Sequence, residues 1–265
     1  MTSRTSNPGI PREEISVLTL NQMLPGPAKH VDAATAYAHP APPEGHLRAN
    51  FVASVDGAAA LDGRVGALTG PADQRLLVLL RSLCDVLLVG AGTVRAEGYG
   101  PVRALPALAD VRRAAGQPAA PRLAVLTRNL ELDLGSAAFV EAAERPIVVT
   151  TETADPARLH EAEKVADVLI AGERSVDLRL ARTLLVELGL PRILSEGGPR
   201  VLAELYAADL VDELDLAISP IITCGAEPRV TDGPALPAPL PLLLAAGFER
   251  DGFLFLRYLR AGVSD

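Results

Sequence analysis

The sequence predicts an α/β fold with a mostly parallel, mixed central sheet flanked by helices. Short runs that are apolar almost throughout, such as DVLLVG, RLAVLT and PIVVTT, alternate with amphipathic segments. Strands of this kind are typical of parallel sheets that helices cover on both faces. The closing segment, PLLLAAGFERDGFLFLRYLR, instead indicates two strands around a turn at Asp251 and Gly252. We therefore expect antiparallel edge strands near the C-terminus.

The predicted elements follow an N-terminal extension. Residues 1–45 are rich in proline, threonine and alanine, and we expect a partly flexible extension with one short helix over residues 13–24. From residue 46 apolar and amphipathic runs alternate, so residues 46–265 are expected to form the main domain. Its strands are predicted at residues 47–55, 85–89, 122–127, 146–151, 165–171 and 192–195, and within VDELDLAISPII. Its helices are predicted at residues 72–83, 177–188 and 199–207, with a proline suited to the first turn of the first and third.

Composition excludes several classes of function. The chain has 265 residues, of which 49% are hydrophobic and 22% charged, as in globular proteins. Its net charge of −8 argues against nucleic-acid binding, which requires clustered cations. The two distant cysteines fit a reducing compartment, so we expect a cytoplasmic protein without structural zinc. No apolar run suits a membrane span, the four histidines lack metal-ligand spacing, and the G-x-S-x-G motif of serine hydrolases does not occur.

Two glycine-rich turns after buried strands are the strongest local signals. GAGTV at residues 90–94 follows DVLLV, and EGGP at residues 196–199 follows RILS and opens a helix. Glycine lets the backbone approach a phosphate, and a helix N-terminus offers free N–H groups. Either turn alone is equally well explained by steric need. Two turns at the carboxyl ends of strands favour nucleotide binding, although Arg95 replaces the last glycine of a Rossmann fingerprint.

A carboxylate and an arginine near these turns are further candidates. Asp56 ends the first strand of the domain, where it can accept hydrogen bonds from a heterocycle that bears amino groups. The commoner role of an aspartate before glycine is an Asx-turn or a helix cap. Arg81 interrupts an apolar helical face, where a charge is costly unless it is paired or faces a site. The alternative is an arginine that extends to the edge of its helix.

Four sequence blocks resemble a known family. ASVDG, LTGPADQ, LRSLCDVLLVGAGTVRAEGYGP and ILSEGGPRVLAELYAADLVDELDLAISP are similar, in this order, to the reductase domain of bacterial riboflavin-biosynthesis enzymes. The resemblance covers about residues 47–260 and implies a dihydrofolate-reductase-like fold, a homodimer and NADPH as cofactor. It implies that hydride is transferred to C1′ of 5-amino-6-(5-phosphoribosylamino)uracil, which opens the ribosylamino group to a ribitylamino group.

The resemblance also implies site residues. The first glycine turn would line the nicotinamide and phosphates of the cofactor through Gly90, Gly92, Thr93 and Val94. The second turn would hold the pyrophosphate through Gly197, Gly198, Pro199 and Arg200. Thr127 and Arg128 would meet the adenosine end, where Arg128 either pairs with the 2′-phosphate or is an ordinary surface arginine. The implied substrate residues are Asn50, Ser54 and Asp56 at the heterocycle, Thr69 and Arg81 near the ribose phosphate, and Glu196 between cofactor and substrate.

One segment departs from the family, and alternatives stay open. Family enzymes commonly have an aspartate after GTV, within a D-N-P or D-D-P sequence, whereas this chain has RAEGYGP. Glu97 is therefore the candidate proton donor or substrate-orienting group. The H-x-E and P-C-x-x-C motifs of the deaminase half do not occur, so we expect this chain to supply the reductase half. A dihydrofolate or pteridine reductase of the same fold and a non-catalytic NADPH-binding protein are the alternatives.

Overall fold

One eleven-stranded sheet organises the protein. The structure is a computed structural model, and it describes residues 18–262. The strands are β1 (Thr19–Leu24), β2 (Ala28–Asp32), β3 (His46–Ser54), β4 (Val86–Gly90), β5 (Arg122–Leu126), β6 (Ile147–Thr150), β7 (Asp167–Ile170), β8 (Arg192–Gly197), β9 (Glu213–Ser219), β10 (Leu242–Arg250) and β11 (Phe253–Arg260). The helices are α1 (Ala33–Ala36), α2 (Pro71–Leu83), α3 (Ala91–Glu97), α4 (Ala109–Ala114), α5 (Ala137–Val140), α6 (Pro156–Val165), α7 (Leu178–Glu187) and α8 (Pro199–Ala207).

The sheet is mixed and mostly parallel, as predicted. Its strand order is β2-β1-β10-β11-β9-β3-β8-β4-β5-β6-β7. Within the run from β9 to β7 in this order, each strand is parallel to the next. The C-terminal strands β10 and β11 form the predicted antiparallel pair, and β11 joins it to β9. The expected α/β fold class is confirmed. The C-terminal strands are not edge strands as predicted, because β1 and β2 pair outside β10.

The N-terminal strands were not predicted. Thr19–Leu24 is the strand β1, not part of a helix, so the helix prediction is wrong there; its remaining residues 13–17 lie outside the described part of the chain. β1 pairs with β10 and β2 pairs with β1, both antiparallel. Leu20 is buried, and the neighbouring Asn21 donates to Glu249 on β10 at 3.0 Å. Contacts with a distant strand therefore outweigh the local helical preference of this segment.

Helices cover both faces of the parallel part of the sheet. On one face, Leu87 and Val125 pack with α2, which contributes Leu76 and Leu80. On the other face, the apolar residues of the same strands pack with α7 and α8. This two-sided burial explains why the strand sequences are apolar at successive positions. Among the described helices, none is long and apolar enough to cross a membrane.

A cluster of buried charges lies where β3, β9 and β11 adjoin. Arg48 is completely buried, and its Nη2 donates to Glu213 Oε2 at 3.1 Å. Arg257 on β11 donates from Nε to Glu213 Oε1 at 2.8 Å. Burial raises the pKa of Glu213, but the two guanidinium groups outweigh it and lower that pKa to about 2. Glu213 is therefore a buried carboxylate that stays ionised because two strands supply arginines to it.

Acid is expected to destabilise the protein through Glu213. Its pKa of about 2 in the folded state compares with about 4.3 in an unfolded chain. The stabilisation is therefore complete above the unfolded pKa and is lost as the pH falls toward the folded pKa. We expect the free energy of unfolding, measured with urea, to fall between about pH 5 and pH 2 in the wild-type protein. Glu213→Gln should flatten this dependence and the exposed control Glu173→Gln should keep it; identical slopes in both variants would contradict the assignment.

Candidate active site

The two glycine turns lie side by side at the carboxyl edge of the sheet. β4 and β8 are parallel neighbours, and Val89 pairs with Gly197. The turns are linked directly, because Thr93 Oγ1 in α3 donates to the carbonyl oxygen of Gly197 at 3.1 Å. The prediction that both turns occupy matching positions at strand ends is therefore confirmed. In open α/β sheets this edge is where ligands bind.

The glycines of the turns differ in what a side chain would meet. Gly198 has a φ of +92°, and a Cβ there would lie 2.5 Å from Thr93 Oγ1. A Cβ on Gly90 would lie 3.0 Å from Val201 Cγ2, so this glycine lets α8 approach β4. A Cβ on Gly92, in contrast, would meet nothing within 4 Å. Steric need thus explains Gly90 and Gly198, whereas Gly92 leaves an open backbone surface beside them.

The geometry at the start of α8 fits a pyrophosphate. The helix begins at Pro199 directly after the left-handed Gly198, and no side chain caps it. Its first N–H groups therefore lack intrahelical partners and point out of the helix end. The exposed Gly92 and the half-buried Thr93 border this helix end through the Thr93–Gly197 hydrogen bond. The residues present are thus of the kind that hold the phosphates of a dinucleotide.

A carboxylate, an arginine and a tyrosine, which we call the Glu196 cluster, lie next to these turns. Arg81 on α2 donates to Glu196 through two bonds, Nε to Oε1 at 2.7 Å and Nη2 to Oε2 at 2.6 Å. Tyr99 donates its hydroxyl to Glu196 Oε2 at 2.6 Å, and the Arg81 guanidinium lies 5.3 Å from the centre of the Tyr99 ring. Burial and the Glu196 carboxylate raise the pKa of Tyr99, so its hydroxyl stays a donor. Arg81 is therefore paired, and it does not merely extend to the helix edge.

A second carboxylate lies near the Glu196 cluster. Asp73 on α2 is buried, and it accepts a hydrogen bond from the Thr69 hydroxyl at 2.5 Å. Burial raises the pKa of Asp73, the Thr69 hydroxyl lowers it, and the nearby Glu196 carboxylate raises it further. The predicted substrate residue Thr69 is thus bonded to a carboxylate that sequence reasoning did not select. Aspartate is common in the first turn of helices because it interacts favourably with the helix dipole. Asp73 therefore did not stand out in the sequence as a site residue.

The predicted residues at the end of β3 have different surroundings. Asn50 is half-buried on the same sheet face as Glu196, because Ala49 pairs with Ser195, and its side chain has no hydrogen-bond partner among residues 18–262. Ser54 donates to Asp56, and the exposed Asp56 accepts from the backbone of Cys224 at 2.8 Å. These bonds, from Ser54 first, lower the pKa of Asp56 to about 2. Asp56 thus fastens the loop after β9, and its contact with a heterocycle stays a prediction.

The remaining predicted residues lie either at the exposed margin of the site or in the hydrophobic core. Glu97 is exposed at the end of α3 and accepts from the Val65 amide at 3.4 Å, so its catalytic role stays a prediction. Arg200 is exposed and pairs with Asp232 at 3.6 Å. Thr127, at the end of β5, is buried, Arg128 beside it is exposed, and the Val94 side chain packs in the core. Tyr99 was missed, although RAEGYGP had been recognised as unusual.

Tyr99→Phe is expected to lower the free energy of unfolding by about 1.5–3 kcal/mol, the contribution of a hydrogen bond to a charged group. The hydroxyl is lost while Arg81 still holds Glu196. The matched control is Tyr206→Phe, since the buried Tyr206 hydroxyl has no hydrogen-bond partner among the described residues. Urea unfolding of both variants measures the difference. Equal losses in the free energy of unfolding of the two variants would mean that the hydrogen bond from Tyr99 to Glu196 does not stabilise the fold.

Comparison with known proteins decides the family. The model of the RibD C-terminal domain matches residues 45–252, which include the glycine turns and the Glu196 cluster. The chain belongs to the RibD C-terminal domain family. A 2,5-diamino-6-ribosylamino-4(3H)-pyrimidinone 5′-phosphate reductase of Methanothermobacter thermautotrophicus is 30% identical over 186 residues, 68% of this chain and 82% of that protein. The reductase of the same name from Archaeoglobus fulgidus is 29% identical over 187 residues, 68% of this chain and 85% of that protein.

A solved structure supports the same conclusion. A pyrimidine reductase-like protein from Corynebacterium diphtheriae is 29% identical to this chain, with a TM-score of 0.73. The match covers 83% of this chain and 93% of that protein. The resemblance to riboflavin-pathway pyrimidine reductases is therefore confirmed, and with it the dihydrofolate-reductase-like fold. As a RibD C-terminal domain, the chain is a reductase with a site suited to a nicotinamide cofactor.

Proposed function

We propose that this RibD C-terminal domain uses NADPH to reduce a 5′-phosphorylated ribosylaminopyrimidine, opening the ribosylamino group to a ribitylamino group. The observation that carries the proposal is the position of the Glu196 cluster beside the paired glycine turns. A dinucleotide on the turns and a polar heterocycle at Glu196 would lie next to each other. The names of the relatives support the same class of substrate.

The cofactor half of the site is assigned to the glycine turns. The pyrophosphate would lie at Gly197, Gly198, Pro199 and Arg200, against the free N–H groups of α8. Gly90, Gly92, Thr93 and the backbone of Val94 would line the part that leads to the nicotinamide, and Thr127 and Arg128 the adenosine end. When bound, the nicotinamide supplies the hydride.

The substrate half is assigned to residues that can hold a polar ring without moving. Arg81 and Tyr99 fix both oxygens of Glu196, so the carboxylate presents its remaining lone pairs in a set direction. Asn50, on the same face, has a free amide for the heterocycle. Ser54 and Asp56 would contact the ring from the end of β3, and Thr69 would lie near the ribose phosphate with Arg81.

Proton transfer is assigned to Glu97. A proton must reach the opening ring oxygen or the nitrogen of the imine, and Glu97 occupies the segment where family enzymes have an aspartate. Its exposed position at the end of α3 leaves it free to reach a bound substrate. Glu97→Gln should lower turnover while leaving NADPH affinity unchanged; unchanged turnover would remove Glu97 from the mechanism.

The test is the loss of NADPH absorbance with several substrates offered in parallel. The candidates are 5-amino-6-(5-phosphoribosylamino)uracil, its 2,5-diaminopyrimidinone counterpart and dihydrofolate. We expect turnover of a ribosylaminopyrimidine. The diaminopyrimidinone is included as a candidate because the relatives are named as reductases of that compound. Turnover of dihydrofolate alone would move the protein to the folate reductases. Tight NADPH binding with no substrate reduced would indicate a non-catalytic binding protein.

Two further properties belong to the proposal. A homodimer would cover apolar side chains on one face of β10 and β11, where Leu242, Leu244 and Leu254 are 37%, 38% and 37% exposed. Sedimentation of the full chain tests this, because Leu244→Glu should convert a dimer to a monomer. The proposed compartment is the cytoplasm, which suits the free thiols of Cys84 and Cys224.

A further inference from the structure

A cavity of about 460 Å³, which we call the amino-edge cavity, lies at the edge of the sheet opposite the active site. It is lined by the loop that leads into β3, by α7, by the loop between α8 and β9, and by the last residue of β11. The glycine turns follow the carboxyl ends of the parallel strands, whereas β3 and β9 begin here. β3 runs from His46 to Ser54, so at about 3.3 Å per residue the two edges are about 26 Å apart. A molecule in this cavity is therefore separate from the cofactor and the substrate.

Three arginines line the amino-edge cavity, and two of them are held in place by the fold. Arg182 on α7 donates from Nη2 to the carbonyl oxygen of Gly45 at 2.6 Å and pairs with Asp212 at 2.9 Å. Arg260 at the end of β11 donates from Nη1 to the carbonyl oxygen of Asp209 at 3.1 Å and pairs with its carboxylate at 3.0 Å. The Nε–H groups of both arginines make no hydrogen bond within residues 18–262. Both guanidinium groups are thus oriented in advance and keep donors for a ligand.

The third arginine, Arg179, has no partner for its charge. It is exposed one turn before Arg182 on α7, and its guanidinium makes no hydrogen bond or ion pair in the part of the chain that the structure describes. The two lining aspartates are already bonded to the other arginines, and the exposed Glu44 is the remaining lining carboxylate. The wall therefore offers many more free N–H donors than acceptors, which is the chemistry that an oxyanion requires.

His46 and the size of the cavity indicate a ligand larger than a bare oxyanion. His46 lines the cavity and is 8% exposed, and its buried Nδ1 has no hydrogen-bond partner among the described residues. Burial lowers the pKa of His46, so the ring is neutral. Its Nε2 lies 3.7 Å from Glu213 Oε2, which favours the proton on Nε2 and leaves Nδ1 as an acceptor. A ligand hydroxyl would supply the missing donor, and the volume lies within the range of about 300–1,000 Å³ that is typical of organic ligands.

We propose that the amino-edge cavity binds a phosphorylated sugar, with its phosphate at Arg179, Arg182 and Arg260 and a hydroxyl group at His46. A guanidinium presents a fork of N–H groups that matches the oxygens of a phosphate monoester. Arg182 and Arg260 supply such groups in fixed positions, and Arg179 adds the charge that is not yet neutralised. No residue of the glycine turns or of the Glu196 cluster lines this cavity, so the inference does not depend on the proposed function.

The experiment is calorimetric titration of the full chain with three probes: glucose 6-phosphate, glucose and inorganic phosphate. We expect glucose 6-phosphate to bind more tightly than the other two. Arg179→Gln should weaken its binding about tenfold, because a charge-assisted bond to the phosphate is lost. The fold should be unaffected, since the Arg179 side chain makes no bond within the described residues. Arg174→Gln is the matched control, because Arg174 is exposed, pairs with Glu173 and lies outside the cavity; it should bind as the wild type does.

Glu44→Gln tests the sign of the charge that the cavity holds. The Glu44 carboxylate lines the same cavity and repels a phosphate there, so its removal should strengthen glucose 6-phosphate binding about two- to threefold. Opposite effects of the Arg179 and Glu44 variants would locate the phosphate between these two residues. Weaker binding in Glu44→Gln would mean that the carboxylate itself holds the probe, which contradicts a phosphate bound at Arg179.

Other outcomes would overturn the inference directly. Glucose 6-phosphate that does not bind, or that binds equally to the wild type and to Arg179→Gln, would show that the arginines do not form a phosphate site. Inorganic phosphate binding as tightly as glucose 6-phosphate would reduce the cavity to a general anion site. Binding that Arg81→Gln loses and Arg179→Gln keeps would place the sugar phosphate in the active site instead.

Discussion

Arg81→Ala is expected to lower the free energy of unfolding by about 3 kcal/mol and to abolish most pyrimidine reduction. The substitution leaves the Glu196 carboxylate, whose side chain is 6% exposed, without its cation, and removing one partner of a buried ion pair costs about 3–5 kcal/mol. The lower value applies because the Arg81 side chain is 26% exposed. Turnover falls because Glu196 loses the two bonds that orient it. Urea unfolding and steady-state kinetics measure the two effects.

Two further variants separate stability from function at this position. Arg75→Ala removes a half-buried arginine from the same helix, and its loose pair with the exposed Asp251 at 3.8 Å predicts a loss of at most about 1 kcal/mol. The double variant Arg81→Leu/Glu196→Leu should regain stability relative to Arg81→Ala, because an apolar pair replaces a broken ionic one. It should remain inactive. Equal stability of the Arg75 and Arg81 variants, or activity in the double variant, would contradict the role given to the Glu196 cluster.

The parallel half of the sheet could be predicted because its signal is local. Burial on both faces makes each strand apolar at every position, so β4, β5 and β6 were recognised from their own residues. The meeting of the glycine turns could also be predicted, because the carboxyl ends of parallel strands share one edge. Gly198 shows what the sequence alone does not reveal about these turns. Its steric relation to Thr93, more than a hundred positions away, fixes the turn, and only the folded chain shows it.

The features that were missed depend on distant partners. β1 resembles a helix in isolation, and its pairing with β10 joins Asn21 to Glu249. The buried pair of Arg48 and Glu213 was hidden because a charged residue in an alternating strand ordinarily faces water. Tyr99 was hidden in the same way, since only the fold brings its hydroxyl to Glu196. A polar residue can be recognised as part of a site once its contacts in the folded chain are known. The periodicity of the sequence does not give those contacts.

Gly198→Ala and Gly92→Ala should separate the steric role of the glycine turns from their cofactor role. Gly198 has φ +92°, and an alanine Cβ there would lie 2.5 Å from Thr93 Oγ1, so both backbone strain and a clash oppose the substitution. We expect Gly198→Ala to lower the free energy of unfolding by about 2–4 kcal/mol and to weaken NADPH binding. Urea unfolding and NADPH titration followed by calorimetry measure both quantities on each variant.

Gly92→Ala is the decisive partner of that experiment, because its Cβ would meet nothing within 4 Å and the residue lies inside α3. Helix propensity predicts that alanine raises the free energy of unfolding by about 0.5–1 kcal/mol. If the cofactor lies against the Gly92 backbone, this more stable protein should bind NADPH more weakly, since the methyl group occupies the space of the ligand. If the Gly92→Ala variant is more stable and still binds NADPH more weakly, a steric clash within the fold cannot be the cause. Unchanged NADPH affinity would instead show that the first turn carries glycine there for reasons other than the cofactor.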